Sequence, residues 1–281
     1  IKYAASFLEW FSEEAPRVYG DTILSSTPGQ RIMTIREPVG VCALITPWNF
    51  PAAMITRKIG PALAAGCTVI VKSPGETPFT ANALAVLAQR AGIPKGVINI
   101  VTALKNTASI GELLTTHPQI RKLSFTGSTN VGRLLMGQAA STIKKISLEL
   151  GGNAPFIVFE DVRDIEHAVT AAIKAKFRSS GQTCVCANRI YIQQPIFDEF
   201  ARLFTKKVRE FKPGAGFNKG VTHGPLIHQR AIDKVDEHVR DAVSKGAKVV
   251  IGGKKAPDIG PNFYEPTVLT GMTEDMLLAC E

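Results

Sequence analysis

Short apolar runs alternate with amphipathic segments along the first half of the chain. Residues 39–46 and 67–72 are nearly continuous apolar stretches, the pattern of strands buried on both faces. Between them, residues 52–65 carry helical spacing and stop at Gly66. The rhythm then repeats. A helix is predicted over 79–91, with Gly92 just after it and Pro94 beyond as a stop signal. Strand 97–102, helix 107–115, strand 121–125, helix 129–139 and strand 145–149 follow. Strictly alternating strands and helices predict an α/β fold: a parallel sheet covered on both faces. Such a sheet takes ligands at the carboxyl ends of its strands.

After Gly151-Gly152 the pattern continues with a strand at 156–159 and helices near 165–177, 196–211 and 227–244. The glycine pair marks a boundary between one domain at 1–150 and a second at 151–281. Residues 273–281 read as a helix or loop cut short, so the second domain reads as incomplete.

Composition narrows the field. Of 281 residues, 45% are apolar and 20% charged, ordinary for a globular protein. The best apolar run, residues 67–71, is strand-sized and argues against a membrane partner. No signal or transit peptide is visible, although the chain starts at Ile1. The net charge of +9 is scattered, with pairs such as Lys144-Lys145, Lys206-Lys207 and Lys254-Lys255 as its densest spots. Scattered charge without interleaved aromatics argues against nucleic acid and leaves a solvated surface or a site for anionic small molecules. The five cysteines (Cys42, Cys67, Cys184, Cys186 and Cys280) include no Cys-x-x-Cys. That argues against a disulfide scaffold or a metal site. It fits a reducing compartment, the cytoplasm or the mitochondrial matrix.

Two motifs carry chemistry. In Phe177-Arg178-Ser179-Ser180-Gly181-Gln182-Thr183-Cys184 a thiol follows a small-residue turn. Glu149 lies 35 residues earlier, in the otherwise apolar Leu148-Glu149-Leu150-Gly151-Gly152. A thiol nucleophile plus a separate general base suits acyl chemistry through a thioester. Alone, a cysteine such as Cys184 is more often a buried small hydrophobe, and Glu149 fits an edge residue or a salt bridge. Partial burial of Glu149 would raise its pKa toward a base's working range. Cys186, two residues on, would share a face with Cys184 in an extended segment and is a candidate redox partner. The alternative for Cys186 is a spare small residue.

Thr46-Pro47-Trp48-Asn49-Phe50-Pro51 ends the first strong strand, where a rigid loop could aim the Asn49 amide at an oxyanion. Phe125-Thr126-Gly127-Ser128-Thr129-Asn130-Val131-Gly132 leads from a strand into a helix, with Ser128 as a helix cap, the context for an anion site. The usual Gly-x-Gly-x-x-Gly fingerprint is absent. Arg57 and Arg178 flank these motifs. Each alone is an ordinary surface ion-pair former; together they could clamp a carboxylate.

In order and spacing, these segments resemble the aldehyde dehydrogenase superfamily over nearly the whole chain. The resemblance implies a Rossmann-like cofactor domain followed by part of a catalytic α/β domain. It implies Cys184 as nucleophile, Glu149 as base, and Asn49 with the Cys184 N–H as oxyanion hole. It puts Thr46, Pro47, Trp48, Lys72, Gly75, Phe125, Gly127, Ser128 and Gly132 at an NAD or NADP cofactor. The family's Lys-Pro-x-Glu becomes Lys72-Ser73-Pro74-Gly75-Glu76 here. Gly75 removes a carboxylate that would repel a 2′-phosphate, and Lys72 with Ser73 would favour one, which leans the reading to NADP. A shift of Glu76 into that place would restore NAD. Ser179 stands where the family commonly has Asn.

Arg57 and Arg178 resemble the succinate-semialdehyde dehydrogenases. The implied reaction is oxidation of succinate semialdehyde to succinate in γ-aminobutyrate catabolism, by a homo-oligomer, a dimer or tetramer. Rival readings are another semialdehyde such as glutarate semialdehyde, a neutral aldehyde, transfer of the thioester to coenzyme A, or a non-catalytic protein on the same fold. Family members are longer and continue through a Glu-Glu-Thr-Phe-Gly-Pro segment whose first Glu matches Glu281. The expectation is that these 281 residues alone fold poorly and are inactive.

Overall fold

The computed structural model describes residues 1–280, and the match at Glu281 lies outside the described residues. The chain divides into two compact units, Ile1–Gly151 and Gly152–Glu281.

The first unit opens with α1 (Lys2–Glu14) and a small antiparallel hairpin, β1 (Thr22–Leu24) with β2 (Arg31–Met33). Alternating elements follow: β3 (Val41–Ile45), α2 (Ala53–Ala64), β4 (Val69–Ser73), α3 (Pro78–Arg90), β5 (Ile98–Thr102), α4 (Thr107–Thr116), β6 (Ile120–Thr126), α5 (Thr129–Ala139) and β7 (Lys145–Glu149). The five later strands form one parallel sheet in the order β5-β4-β3-β6-β7. This is the parallel sheet the alternation predicts, in the Rossmann-like order the resemblance implies.

The pleat of β3 explains why both faces are covered. Cys42 and Leu44 pack with Val69, Val71, Ile55, Ile59 and Ala81. Ala43 points the other way, into Leu114, Leu123, Phe125 and Leu135. Each large side chain buried in this way contributes about 1.5–3 kcal/mol. Burial beside Cys67 pushes the Cys42 thiol up to about 12, so it stays neutral in the core.

The second unit contains β8 (Ala154–Val158), α6 (Ile165–Phe177), a tight turn at Arg178–Gly181, β9 (Ala187–Ile192), α7 (Phe197–Arg209), α8 (Gln229–Ser244), β10 (Lys248–Ile251), β11 (Val268–Thr270) and α9 (Leu277–Cys280). The strands β8 and β9 pair in parallel, and β10 with β11 antiparallel. Phe200, Phe204 and Val208 of α7 pack with Val169 and Ala172 of α6. Asp164 caps α6 by accepting from the His167 N–H at 2.9 Å. Among the described residues no helix is long and apolar enough to cross a membrane.

Candidate active site

The carboxyl edge of the parallel sheet gathers the expected residues of the first unit. In register, Ile45 sits beside Lys72 on one side and Phe125 on the other, and Thr126 beside Glu149. The chain runs outward from β3 through β4 to β5, then returns on the far side as β6 and β7. The order therefore reverses between β3 and β6, the place where open α/β sheets bind ligands.

Thr46, one residue past β3, is 4% exposed, and its hydroxyl has no hydrogen-bond partner. The Thr126 hydroxyl at the end of β6 is also buried and unpartnered. A buried hydroxyl left so costs about 1–3 kcal/mol. Two of them flanking the switch point fit a polar ligand such as a dinucleotide. Ser128 then caps α5, its side-chain oxygen accepting from the Val131 N–H at 3.4 Å. The first-turn amides of such a helix lack intrahelical partners and suit a phosphate.

The glycines here are set by close approach. A Cβ at Gly127 would lie 2.4 Å from the Phe125 ring. Phe125 is itself buried in the cluster with Leu123 and Leu135. Its side chain therefore belongs to the core. Gly132 is buried in α5, under the Leu150 side chain.

Lys72 is buried at the end of β4, and desolvation lowers its pKa against the attraction of Glu76. Ser73 is fully buried and donates to the Val101 carbonyl at 3.5 Å. The strand runs one residue further than the apolar pattern suggested, so its pleat turns Ser73 into the core. Ser73 is thereby removed as a phosphate contact. At Gly75 a Cβ would fall 2.7 Å from the Leu104 Cα and 2.8 Å from the Ala103 oxygen. Backbone stands on that side, so a carboxylate at 75 would require the 103–104 segment to move. Glu76 is exposed.

Pro47, Trp48 and Asn49 are half-buried in the bend before α2. Arg57 of α2 turns toward α1: its Nη2 donates to the Tyr3 hydroxyl at 2.9 Å, and its guanidinium stands 4.9 Å from the Phe7 ring centre. Its Nε is buried without a hydrogen-bond partner. Glu149 ends the edge strand β7, and its carbonyl accepts from the Gly127 N–H at 3.0 Å. Its side chain is exposed, so the expected partial burial is absent from this edge position.

The sequence reading passed over Lys58. It is 7% exposed and donates to Ser124 Oγ of β6 at 2.7 Å. Burial brings its pKa down to about 8, opposed by the attraction of Glu149. A lysine inside the apolar Met54–Gly60 helical stretch was the available signal. Because the folded value lies below the unfolded one, the unfolded chain holds more protons between about 8 and 10.5. Stability from this residue therefore rises with pH through that window, on the order of 3 kcal/mol in full. In urea titrations of the full-length protein, Lys58→Met is expected to flatten that rise. An unchanged slope would contradict it.

The thiol turn lies in the second unit. Ser179 and Ser180 take left-handed backbone, φ 51° and 55°, a region that Asn tolerates better than Ser. That gives a physical reason for Asn at the first of these places elsewhere. Gln182 ties the turn to a neighbouring segment: its Oε1 accepts from the Ile227 N–H at 3.0 Å and its Nε2 donates to the Pro225 carbonyl at 3.3 Å. Ser180 Oγ donates to the Gly224 carbonyl at 3.1 Å. Arg178 is exposed at the start of the turn. Cys184 is exposed, whereas Cys186 is 3% exposed. The Cys186 N–H donates to the Thr183 carbonyl at 3.0 Å, so residues 183–186 form a turn rather than an extended run. The two thiols are therefore not alternate residues on one strand face, which corrects the geometric premise for pairing them.

One unit carries a Rossmann-like sheet with orphaned polar groups at its switch point, and the other carries an exposed thiol on a pinned turn. The chain belongs to the aldehyde dehydrogenase family, whose family model matches residues 1–281. It is 59% identical over 281 residues to a succinate-semialdehyde dehydrogenase [NADP(+)] 1 of Schizosaccharomyces pombe, covering 100% of this chain and 56% of that protein. It is 56% identical over 279 residues to a glutarate-semialdehyde dehydrogenase of Pseudomonas aeruginosa, covering 99% and 57%. The crystal structure of a succinate-semialdehyde dehydrogenase from Burkholderia pseudomallei superimposes with a TM-score of 0.96 at 54% identity, covering 100% of this chain and 57% of that one. The chain thus spans little more than half the length of the relatives it matches.

Proposed function

We propose that the full-length protein oxidises succinate semialdehyde to succinate, with NADP preferred over NAD, as a step in γ-aminobutyrate breakdown. The observation that carries this reading is the exposed Cys184 on a turn pinned by Gln182. Similarity to enzymes named for short semialdehydes and for NADP supports the substrate and cofactor. In this reading residues 1–150 form the cofactor domain and 151–281 carry the thiol, in a homo-oligomer working in a reducing compartment.

The Cys184 thiolate attacks the aldehyde carbon and forms a C–S bond, leaving the carbonyl oxygen as an oxyanion. The Asn49 amide and the Cys184 N–H donate to that oxygen. The bound nicotinamide ring supplies the hydride acceptor. The carbon left behind is a thioester of Cys184. Glu149 takes a proton from water, the water oxygen adds to the thioester carbonyl, and the C–S bond breaks to release acid and thiolate. Thr46, Pro47, Trp48 and Lys72, with Gly127 and the capped start of α5, would hold the dinucleotide. Gly75 keeps a carboxylate away from a 2′-phosphate. Cys186 remains the candidate redox partner of Cys184.

Arg57 and Arg178 are assigned to the substrate's far carboxylate. A charge-assisted pair is worth about 1.5–3 kcal/mol. Arg57→Met or Arg178→Met is therefore expected to raise KM for succinate semialdehyde roughly 10–100-fold and leave butanal nearly unaffected. Equal effects on both aldehydes would discard the clamp.

A further inference from the structure

The thiol turn is closed at its base by a side-chain pair. Lys176 stands in the last turn of α6, and Asn188 is the second residue of β9. Lys176 Nζ donates to Asn188 Oδ1 at 2.7 Å, so one bond joins the two ends of the segment that carries Cys184. Asn188 Nδ2 in turn donates to the Gly152 carbonyl at 3.3 Å. A Cβ at Gly152 would lie 3.9 Å from the Cys184 carbonyl oxygen, so the tied glycine runs against the backbone of the turn. Gly181 packs on Lys176 as well, its Cβ position 3.6 Å from the Lys176 carbonyl and 4.0 Å from its Cε. Burial lowers the Lys176 pKa, and the attraction of Cys186 opposes this. The half-buried Lys176 side chain folds back over the turn, and its bond to Asn188 lies at the solvent-exposed surface.

We propose that Lys176 is a positioning residue for Cys184. Through Asn188 it holds both ends of the thiol turn and the Gly152 segment in one arrangement. The thiol and its own N–H are thereby presented together to a substrate carbonyl. The proposal rests on the reading of Cys184 as the nucleophile.

The test uses the full-length protein and four forms: wild type, Lys176→Met, Lys176→Arg and Asn188→Ala. The rate of Cys184 alkylation by iodoacetamide is followed by peptide mass, beside kcat and KM for succinate semialdehyde. Lys176→Met and Asn188→Ala are expected to slow alkylation and kcat about tenfold while KM changes little, since misplacing a reacting group costs rate rather than binding. Lys176→Arg, which keeps a charged donor of similar reach, is expected to recover most of the loss. Folded Lys176→Met and Asn188→Ala proteins with wild-type alkylation and turnover would overturn the proposal. So would an Arg variant no better than Met. If Lys176→Met does not fold, Asn188→Ala decides alone, because it leaves Lys176 in place. Wild-type Cys184 reacting no faster than glutathione would overturn the nucleophile reading itself, an outcome distinct from a reactive Cys184 indifferent to Lys176.

Discussion

Cys184→Ala in the full-length protein is expected to lower kcat for aldehyde oxidation by at least about 10⁴-fold, the scale on which nucleophile deletions act. The expectation follows from placement. Cys184 is exposed on a turn fixed by Gln182 and Ser180, while Cys186, Cys42 and Cys67 are buried. Cys280 is also exposed, but it lies in the short α9 rather than in that turn. The Cys186→Ser, Cys42→Ser and Cys280→Ser proteins serve as controls and are expected to keep activity wherever they fold. Thermal melts separate lost folding from lost chemistry, and an exposed side chain cut back to Ala leaves the fold intact. Substantial turnover by Cys184→Ala would mean that another group accepts the acyl chain.

The second large effect belongs to Glu149. Glu149→Gln is expected to cut steady-state turnover about 10²–10⁴-fold, the usual contribution of a general base. It removes only the hydrolytic step, so rapid mixing is expected to show one equivalent of reduced nicotinamide per site, followed by near arrest. The trapped acyl group would add to Cys184 in the intact mass. A mutant that loses the first turnover along with the later ones would place Glu149 before hydride transfer, contrary to this account. Glu149 is exposed at the end of an edge strand, and Gly127 grips it by its backbone only. The fold therefore tolerates its replacement.

Much of this was legible in the sequence because the parallel sheet is buried on both faces. Its strands are then apolar runs, and helices such as α5 and α6 begin at real caps, Ser128 and Asp164. What escaped has physical reasons. The hairpin β1–β2 is exposed throughout, so no burial pattern marks it. The strand β9 includes Asn188 and Arg189, whose polar side chains serve as clamps to Gly152 and Asn153 and break the apolar run. α1 was missed although Tyr3 and Phe7 hold Arg57.

Site residues were legible by type more than by direction. Ser73 carries the right chemistry for a phosphate, but one more residue of strand turns it inward. Phe125 lies in the right motif and serves the core. Cys186 was placed on an extended face, and the hydrogen bond from its amide to Thr183 makes that segment a turn. Lys58 and Lys176 were hidden for the opposite reason. A lysine in a sequence looks like a surface residue until packing shows what its stem is buried against.

The central claim is that this thiol serves a short aldehyde bearing a carboxylate, with NADP as oxidant. The most direct measurement follows reduced-nicotinamide absorbance for the full-length protein with succinate semialdehyde and with butanal, each with NADP and with NAD. The acid aldehyde with NADP is expected to give the highest kcat/KM by at least about tenfold, the scale of a charge-assisted clamp on its carboxylate. Equal rates for the two aldehydes would contradict the carboxylate assignment. No rate with any combination would contradict the dehydrogenase reading of Cys184.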